Sequence, residues 1–343
     1  MRKALLPLIF LLIITSFLIN GCGRTAPTDD DGGGGGGGGG YPYTYLGSQN
    51  PGDLVNWTMN ADGTLSFENE DTGAIMTANY RVSQNTLSSG TIYHYEAYDI
   101  VLNGSPIADK VPFAELPNHA LVAYIPSESG TNELAFFTAS PISTVAGMAG
   151  EYNFIDVVTD NTVAYGTSSV KWGTYNITSA ALDTTANYVS PNTFSDAQAG
   201  VGLSMDSGYA ATAGDLHLAV GSTGVLVADR GVNKGMRIGS KIPAASAQNI
   251  LGVYIIFTPD GQILGRGSLT GTGPYNCAYS FSDGTSGDFD FSEESPGMYG
   301  GVDITAGNAT MRIKCLGNNT FLAIRYDNST GKYNNFIGVR QEE

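Results

Sequence analysis

The chain has 343 residues and sets 16 basic against 32 acidic side chains, a formal net charge of −16 at pH 7. Such a body repels phosphate backbones and anionic headgroups, which excludes nucleic-acid binding and electrostatic docking onto a membrane. Charged residues are only 14% of the chain while Gly, Ser, Thr, Asn and Tyr abound, so a turn-rich β protein is predicted rather than a charged helical one.

The chain opens on Met1-Arg2-Lys3, an apolar run over residues 4–19, and Asn20-Gly21 ahead of Cys22. A basic start, a short apolar stretch and a small residue at the cleavage point form a secretory signal, too short to span a bilayer comfortably. Ile19-Asn20-Gly21-Cys22 resembles the lipobox of bacterial lipoproteins: an aliphatic residue, two further residues ending in a small one, then the cysteine. Asn20 departs from the Ala or Ser more common there. The resemblance covers about the first 22 residues. It implies that residues 1–21 are removed as a signal peptide, and that Cys22 receives a diacylglycerol and becomes the N-acylated first residue. It also implies, because Gly23 is not aspartate, sorting to the outer membrane of a two-membrane cell. Losing Arg2 and Lys3 takes the formal charge from −16 to −18, so membrane attachment rests on the lipid alone.

Residues 22–40 hold the acylated cysteine, three aspartates and nine consecutive glycines from Gly32 to Gly40. Nothing there buries an apolar face, and polyglycine loses the most entropy on ordering. A disordered tether is predicted, with a root-mean-square reach of roughly 20–25 Å.

From Tyr41 onward the pattern is short strands and turns. Asp62-Gly63 and Asp260-Gly261 each sit between β-type runs, a strong hairpin signal. Residues 92–102 read as one long strand, and residues 321–326 and 333–339 follow each other at hairpin spacing. Met311, Ile313 and Cys315 alternate with Arg312 and Lys314, which predicts a half-buried strand with one apolar and one basic face. Residues 183–215, rich in Gly, Ala and Ser, read as an irregular loop, and residues 244–251 could form a turn or two of helix. Strands about every ten residues with Gly-rich turns predict an all-β fold, an antiparallel sandwich or barrel.

Pro141, Gly147 and Gly150 interrupt the strands, so two β domains are predicted, residues 41–145 and a larger one over residues 146–343. Two internal echoes suggest symmetry. Asp62-Gly63 and Asp260-Gly261 recur with matching neighbours, and Tyr152-Asn153-Phe154-Ile155 resembles Tyr333-Asn334-Asn335-Phe336-Ile337. The second pair could join as first and last strands and close a barrel. Cys277 and Cys315 are the cysteines left after Cys22, and in an oxidising compartment they are expected to be bridged, with two buried thiols as the alternative.

No catalytic, metal or cofactor motif stands out. Gly-x-Ser-x-Gly is absent, and the two Ser-x-x-Lys matches, Ser168 with Lys171 and Ser329 with Lys332, fall on a strand and in a turn rather than on the helix their chemistry needs. His94, His119 and His217 show no metal-ligand spacing, although His94, Glu96 and Tyr98 would share one strand face. Asp283, Asp288, Asp290, Glu293 and Glu294 crowd a stretch that fits no EF-hand. There is neither a Cys-x-x-Cys-His for haem nor a phosphate loop at the glycine tract. Trp57, Trp172 and the 19 tyrosines could stack on a ligand or pack across strands. The reading is therefore a non-enzymatic envelope lipoprotein, a binding or structural module for a carbohydrate, small apolar ligand or protein. The opposing class is a polysaccharide hydrolase using paired carboxylates.

Overall fold

The computed structural model describes residues 42–49, 52–82, 93–107, 110–116, 119–126, 132–157, 171–188, 195–231, 235–242, 251–257, 263–271, 275–281, 286–295, 297–304, 309–317, 320–327, 329 and 332–340. The signal segment, Cys22, the glycine tract and residues 244–250 lie outside them.

The fold is all-β, as the composition and turn spacing predict, and its strands form three antiparallel sheets. The first contains β1 (Tyr43–Gln49), β2 (Asp53–Met59), β3 (Thr64–Asn69), β4 (Ala74–Val82), β5 (Tyr93–Leu102), the short β6 (Ser105–Pro106), β7 (Val111–Leu116), β8 (Ala120–Pro126) and β9 (Asn132–Ala139). Strand β4 pairs with β5 and β1 with β9, which closes an eight-stranded ring with β6 as an appendage. A single-turn helix, α1 (Val145–Met148), capped by Thr144, leads on.

The second sheet contains β10 (Gly150–Val157), β11 (Lys171–Ile177), β12 (Ala181–Tyr188), β13 (Ser195–Gly202), β14 (Ser204–Asp206), β15 (Tyr209–Ala211), β16 (His217–Val220), β17 (Val225–Asp229) and β18 (Met236–Lys241). Its first and last strands pair, and its two edges, β13 and β14, are separated along the chain only by Leu203, so this barrel is nearly closed. The third sheet is a closed barrel of β19 (Gly252–Phe257), β20 (Ile263–Thr270), β21 (Tyr275–Phe281), β22 (Ser286–Ser295), β23 (Met298–Asp303), β24 (Ala309–Gly317), β25 (Thr320–Asp327) and β26 (Lys332–Arg340).

The stretch read as one larger domain, residues 146–343, thus carries two sheets. Tyr152-Asn153-Phe154-Ile155 on β10 pairs with β11 and β18, whereas Tyr333 to Ile337 on β26 pairs with β25 and β19, so each sheet joins its own ends. Both Asp-Gly pairs join neighbouring antiparallel strands, as the hairpin signal predicts. Gly63, at φ +82°, turns β2 into its antiparallel partner β3, and positions 260–261, outside the described residues, likewise connect the antiparallel partners β19 and β20. Residues 183–215, read as a loop, contain most of β12 and all of β13 to β15; small Ala, Gly, Ser and Thr side chains there hide the period-two signal. In the third barrel, Gly338 lies opposite Phe321, whose ring would sit 2.1 Å from any Cβ there, so only glycine admits it.

Each barrel has its own interior. Trp57, Phe67, Phe113 and Phe137 fill the first in edge-to-face contacts. Val145 and Met148 of α1 pack with Tyr152, Phe154 and Tyr175 in the second, and Phe289, Tyr299 and Phe321 pack in the third. A fourth apolar cluster lies between the barrels. It combines Leu116, Val122 and Phe136 of the first with Ile155, Val227 and Ile238 of the second and Met298, Leu322 and Ile337 of the third. These residues alternate with interior ones along their strands, so the strands that meet here are buried on both faces.

Strand β24 shows the consequence. Met311, Ile313 and Cys315 point into the third barrel as predicted, yet Arg312 and Lys314, expected to meet solvent, are 3% and 0% exposed. Arg312 is paired with Glu294 at 2.8 Å. Lys314 pairs in register with Met298 and Leu322 of the central cluster, and its Nζ has no hydrogen-bond partner among the described residues. Burial pushes its ammonium down to about 7. The unfolded chain therefore binds more protons between about pH 7 and 10.5, and folding stability rises with pH across that window. Replacing Lys314 by Met should flatten this slope and raise stability at neutral pH by about 1–4 kcal/mol, read from urea unfolding between pH 6 and 10. A variant that keeps the slope, or loses stability, contradicts the buried unpaired amine.

Candidate functional site

The third barrel contains a cavity of about 20 Å³ with apolar walls, bounded by Tyr254, Ile256, Gly267, Leu269, Cys277, Tyr279, Met311, Ile313, Phe321, Ala323 and Phe336. It arises because the inward positions mix large rings with the small Gly267 and Ala323. An eight-stranded barrel is just wide enough to be filled by side chains or to hold one small ligand. Room for a single water centre without polar partners favours carbon over water.

Cys277 and Cys315 are both buried on these walls and are not bridged. The expected disulfide is thereby corrected. Cys277 is on β21 and Cys315 on β24, with β22 and β23 between, about three strand spacings of ~4.8 Å around the wall. A disulfide needs its Cα atoms within roughly 7 Å. Burial pushes both thiols up to about 12, so they serve as apolar wall atoms rather than nucleophiles.

The second barrel encloses charge instead. Asp156 and Arg237 are register partners on β10 and β18, and Arg237 Nε donates to Asp156 Oδ1 at 2.7 Å while its Nη1 donates to the Tyr175 hydroxyl at 2.7 Å. The guanidinium lies 4.4 Å from the Phe154 ring centre, and Arg230 reaches the other carboxylate oxygen at 3.4 Å. This network satisfies its own members and fixes the barrel wall.

Between the first two barrels, Tyr209 inserts its hydroxyl against the first barrel, donating to the Val55 carbonyl at 2.8 Å and receiving the Gly47 N–H at 3.3 Å. Beside it, Ser48 donates to Asp229 Oδ2 at 2.7 Å and Gly231 N–H to Oδ1 at 2.7 Å. Burial raises the Asp229 carboxyl to about 6 against these two hydrogen bonds, with a smaller push from Asp71. Sequence reasoning passed over Asp229, because nothing in Ala228-Asp229-Arg230 hints at a partner lying 181 positions earlier.

The residues singled out from the sequence do not converge. His94 is buried and held near 4 by burial, hence neutral, while Glu96 binds Arg81 and Lys110 and Arg81 covers Tyr98 at 5.0 Å. Burial also lowers His119. His217 lies opposite Asp229 in register. Ser168 and Asp283 are outside the described residues. Ser329 is engaged by Asp327 in a turn, and Lys171 and Lys332 begin strands. Asp288 and Asp290 lie along β22, Glu293 accepts from Gly297 N–H and the Tyr299 hydroxyl, and Glu294 holds Arg312. Among the described residues no group of three His, Cys, Asp or Glu is set to hold a metal, and no helix is long and apolar enough to cross a membrane. Trp57 is wholly inside the first barrel.

No family model and no curated protein matches the chain. Among solved structures, a Trypanosoma rangeli sialidase in complex with the inhibitor DANA aligns over 87% of this chain and 54% of its own, at 7% identity and a TM-score of 0.13. The chain spans about half that protein's length, and a likeness this slight carries no argument.

The thiol assignment has a direct check. Neither Cys277 nor Cys315 should react with a thiol reagent in the native chain, and both should react in denaturant without reductant. Linked peptides in a non-reduced digest would contradict it.

Proposed function

We propose that this chain is a lipid-anchored lipoprotein of the bacterial cell envelope, held by Cys22 at the outer membrane, whose three-barrel body is a non-enzymatic binding module for a small apolar ligand. The address rests on the lipobox-like Ile19-Asn20-Gly21-Cys22 and the glycine tether. The binding reading is carried by one observation, the apolar cavity in the third barrel. A ligand larger than a methyl group enters by displacing Met311 and Phe336; methionine re-packs readily.

The test combines both halves. Cys22→Ser should abolish palmitate incorporation and release the protein from the membrane fraction. Gly267→Val places a branched side chain into the cavity, where a Cβ meets only ordinary contacts at 3.5 Å and beyond. It should weaken binding of a neutral fluorescent apolar probe at least severalfold without lowering the thermal midpoint. Equal probe binding by the variant would reject this site.

A second reading, hydrolysis of an envelope polysaccharide through two carboxylates, draws on Asp229, whose raised carboxyl suits a general acid, with Asp71 nearby. Release of reducing sugar that disappears in Asp229→Asn would select it.

A further inference from the structure

The first barrel encloses a carboxyl group whose hydrogen-bond partners are tyrosines. Glu115 lies next to last in β7, with its side chain on the inward face and 5% of the residue exposed. Its Oε1 accepts the Tyr45 hydroxyl at 2.8 Å and its Oε2 the Tyr95 hydroxyl at 3.1 Å. Among the described residues no Lys, Arg or His pairs with it. Arg81 on β4 and Lys110 just before β7 both bind Glu96 instead. Both carboxyl oxygens are withdrawn from water and meet phenol hydroxyls rather than a cation.

What surrounds it is aromatic. Tyr43 is the first residue of β1 and Tyr93 the first of β5, and Tyr93 is the register partner of Glu115. Both are half-buried and pack on the interior cluster, and the Tyr93 and Tyr95 ring centres are 6.4 Å apart at 48°. One end of the barrel therefore sets four tyrosines near one buried carboxyl, with the buried Tyr45 and Tyr95 bonded to it and the half-buried Tyr43 and Tyr93 facing outward from them. This end also receives the chain from its N-terminal segment, since Pro42 directly precedes β1.

We propose that this end of the first barrel binds a small organic ammonium ion, held between the Glu115 carboxylate and the tyrosine rings. Opposite charge supplies attraction, and ring faces stabilise an alkylated cation that is weakly hydrated. A free alkylammonium and the headgroup of an amine-bearing lipid share this chemistry. The site is separate from the apolar cavity and stands or falls without it.

Titration calorimetry of the full chain, in a sugar-headgroup detergent, tests the site with tetramethylammonium, choline and ethanolamine. The neutral isostere 3,3-dimethylbutanol serves as control. Saturable binding of at least one ammonium and none of the isostere is expected, weakened roughly tenfold in Glu115→Gln. Tyr93→Leu, which leaves the buried hydrogen bonds of Glu115 in place, should weaken it as well and covers the case in which Glu115→Gln fails to fold. Binding to phosphatidylethanolamine vesicles over phosphatidylglycerol vesicles, without affinity for free amines, would identify the lipid headgroup as the source. Affinity unchanged in both variants, or no binding of either amine source, overturns the proposal.

Discussion

Closing a sheet into a barrel buries one face of each strand; joining three barrels requires burying the other face of those that touch. Everything else in this molecule follows from that second burial. Strands β7 to β9, β17 and β18 with β10, and β23 to β26 contribute apolar side chains to a single cluster that belongs to no barrel. Around it, polar groups cross from one sheet to the next: Tyr209 to Val55, Ser48 to Asp229, Thr138 to the Val225 carbonyl, and Ser240 to the Cys315 carbonyl. Each satisfies a group that docking would otherwise strip of water, where an unmade hydrogen bond is expensive.

The all-β class and many individual strands were legible because closed barrels keep the period-two pattern on their inner face. Residues 92–102 nearly coincide with β5, and Met311, Ile313 and Cys315 point inward as their alternation requires. What was illegible is long-range. Arg312 and Lys314 look like an exposed face, since a sequence shows alternation but not what covers the polar side. The pairing of Cys277 with Cys315 followed from counting and compartment, and neither carries information on how many strands lie between them. Glu115 and Asp229 were invisible as sites for the same reason: their partners Tyr45 and Ser48 are 70 and 181 positions away.

The three interiors share an architecture yet differ in chemistry. The first is packed with rings and closes at one end on a carboxylate, the second is crossed by an Asp156–Arg237 pair, and the third is apolar with a small void. The shared cluster at the junction fixes how the three barrel ends are presented relative to one another.

The central claim is that the shared cluster makes the three barrels one cooperative unit. Scanning calorimetry of residues 41–343 tests it, with Leu322→Asp as the comparison because Leu322 is 2% exposed and lies in the cluster rather than inside a barrel. The account predicts a single transition whose calorimetric and van't Hoff enthalpies agree, and a variant in which the third barrel melts separately at lower temperature. Resolved independent transitions in the unaltered protein, or an unsplit transition in Leu322→Asp, would contradict it.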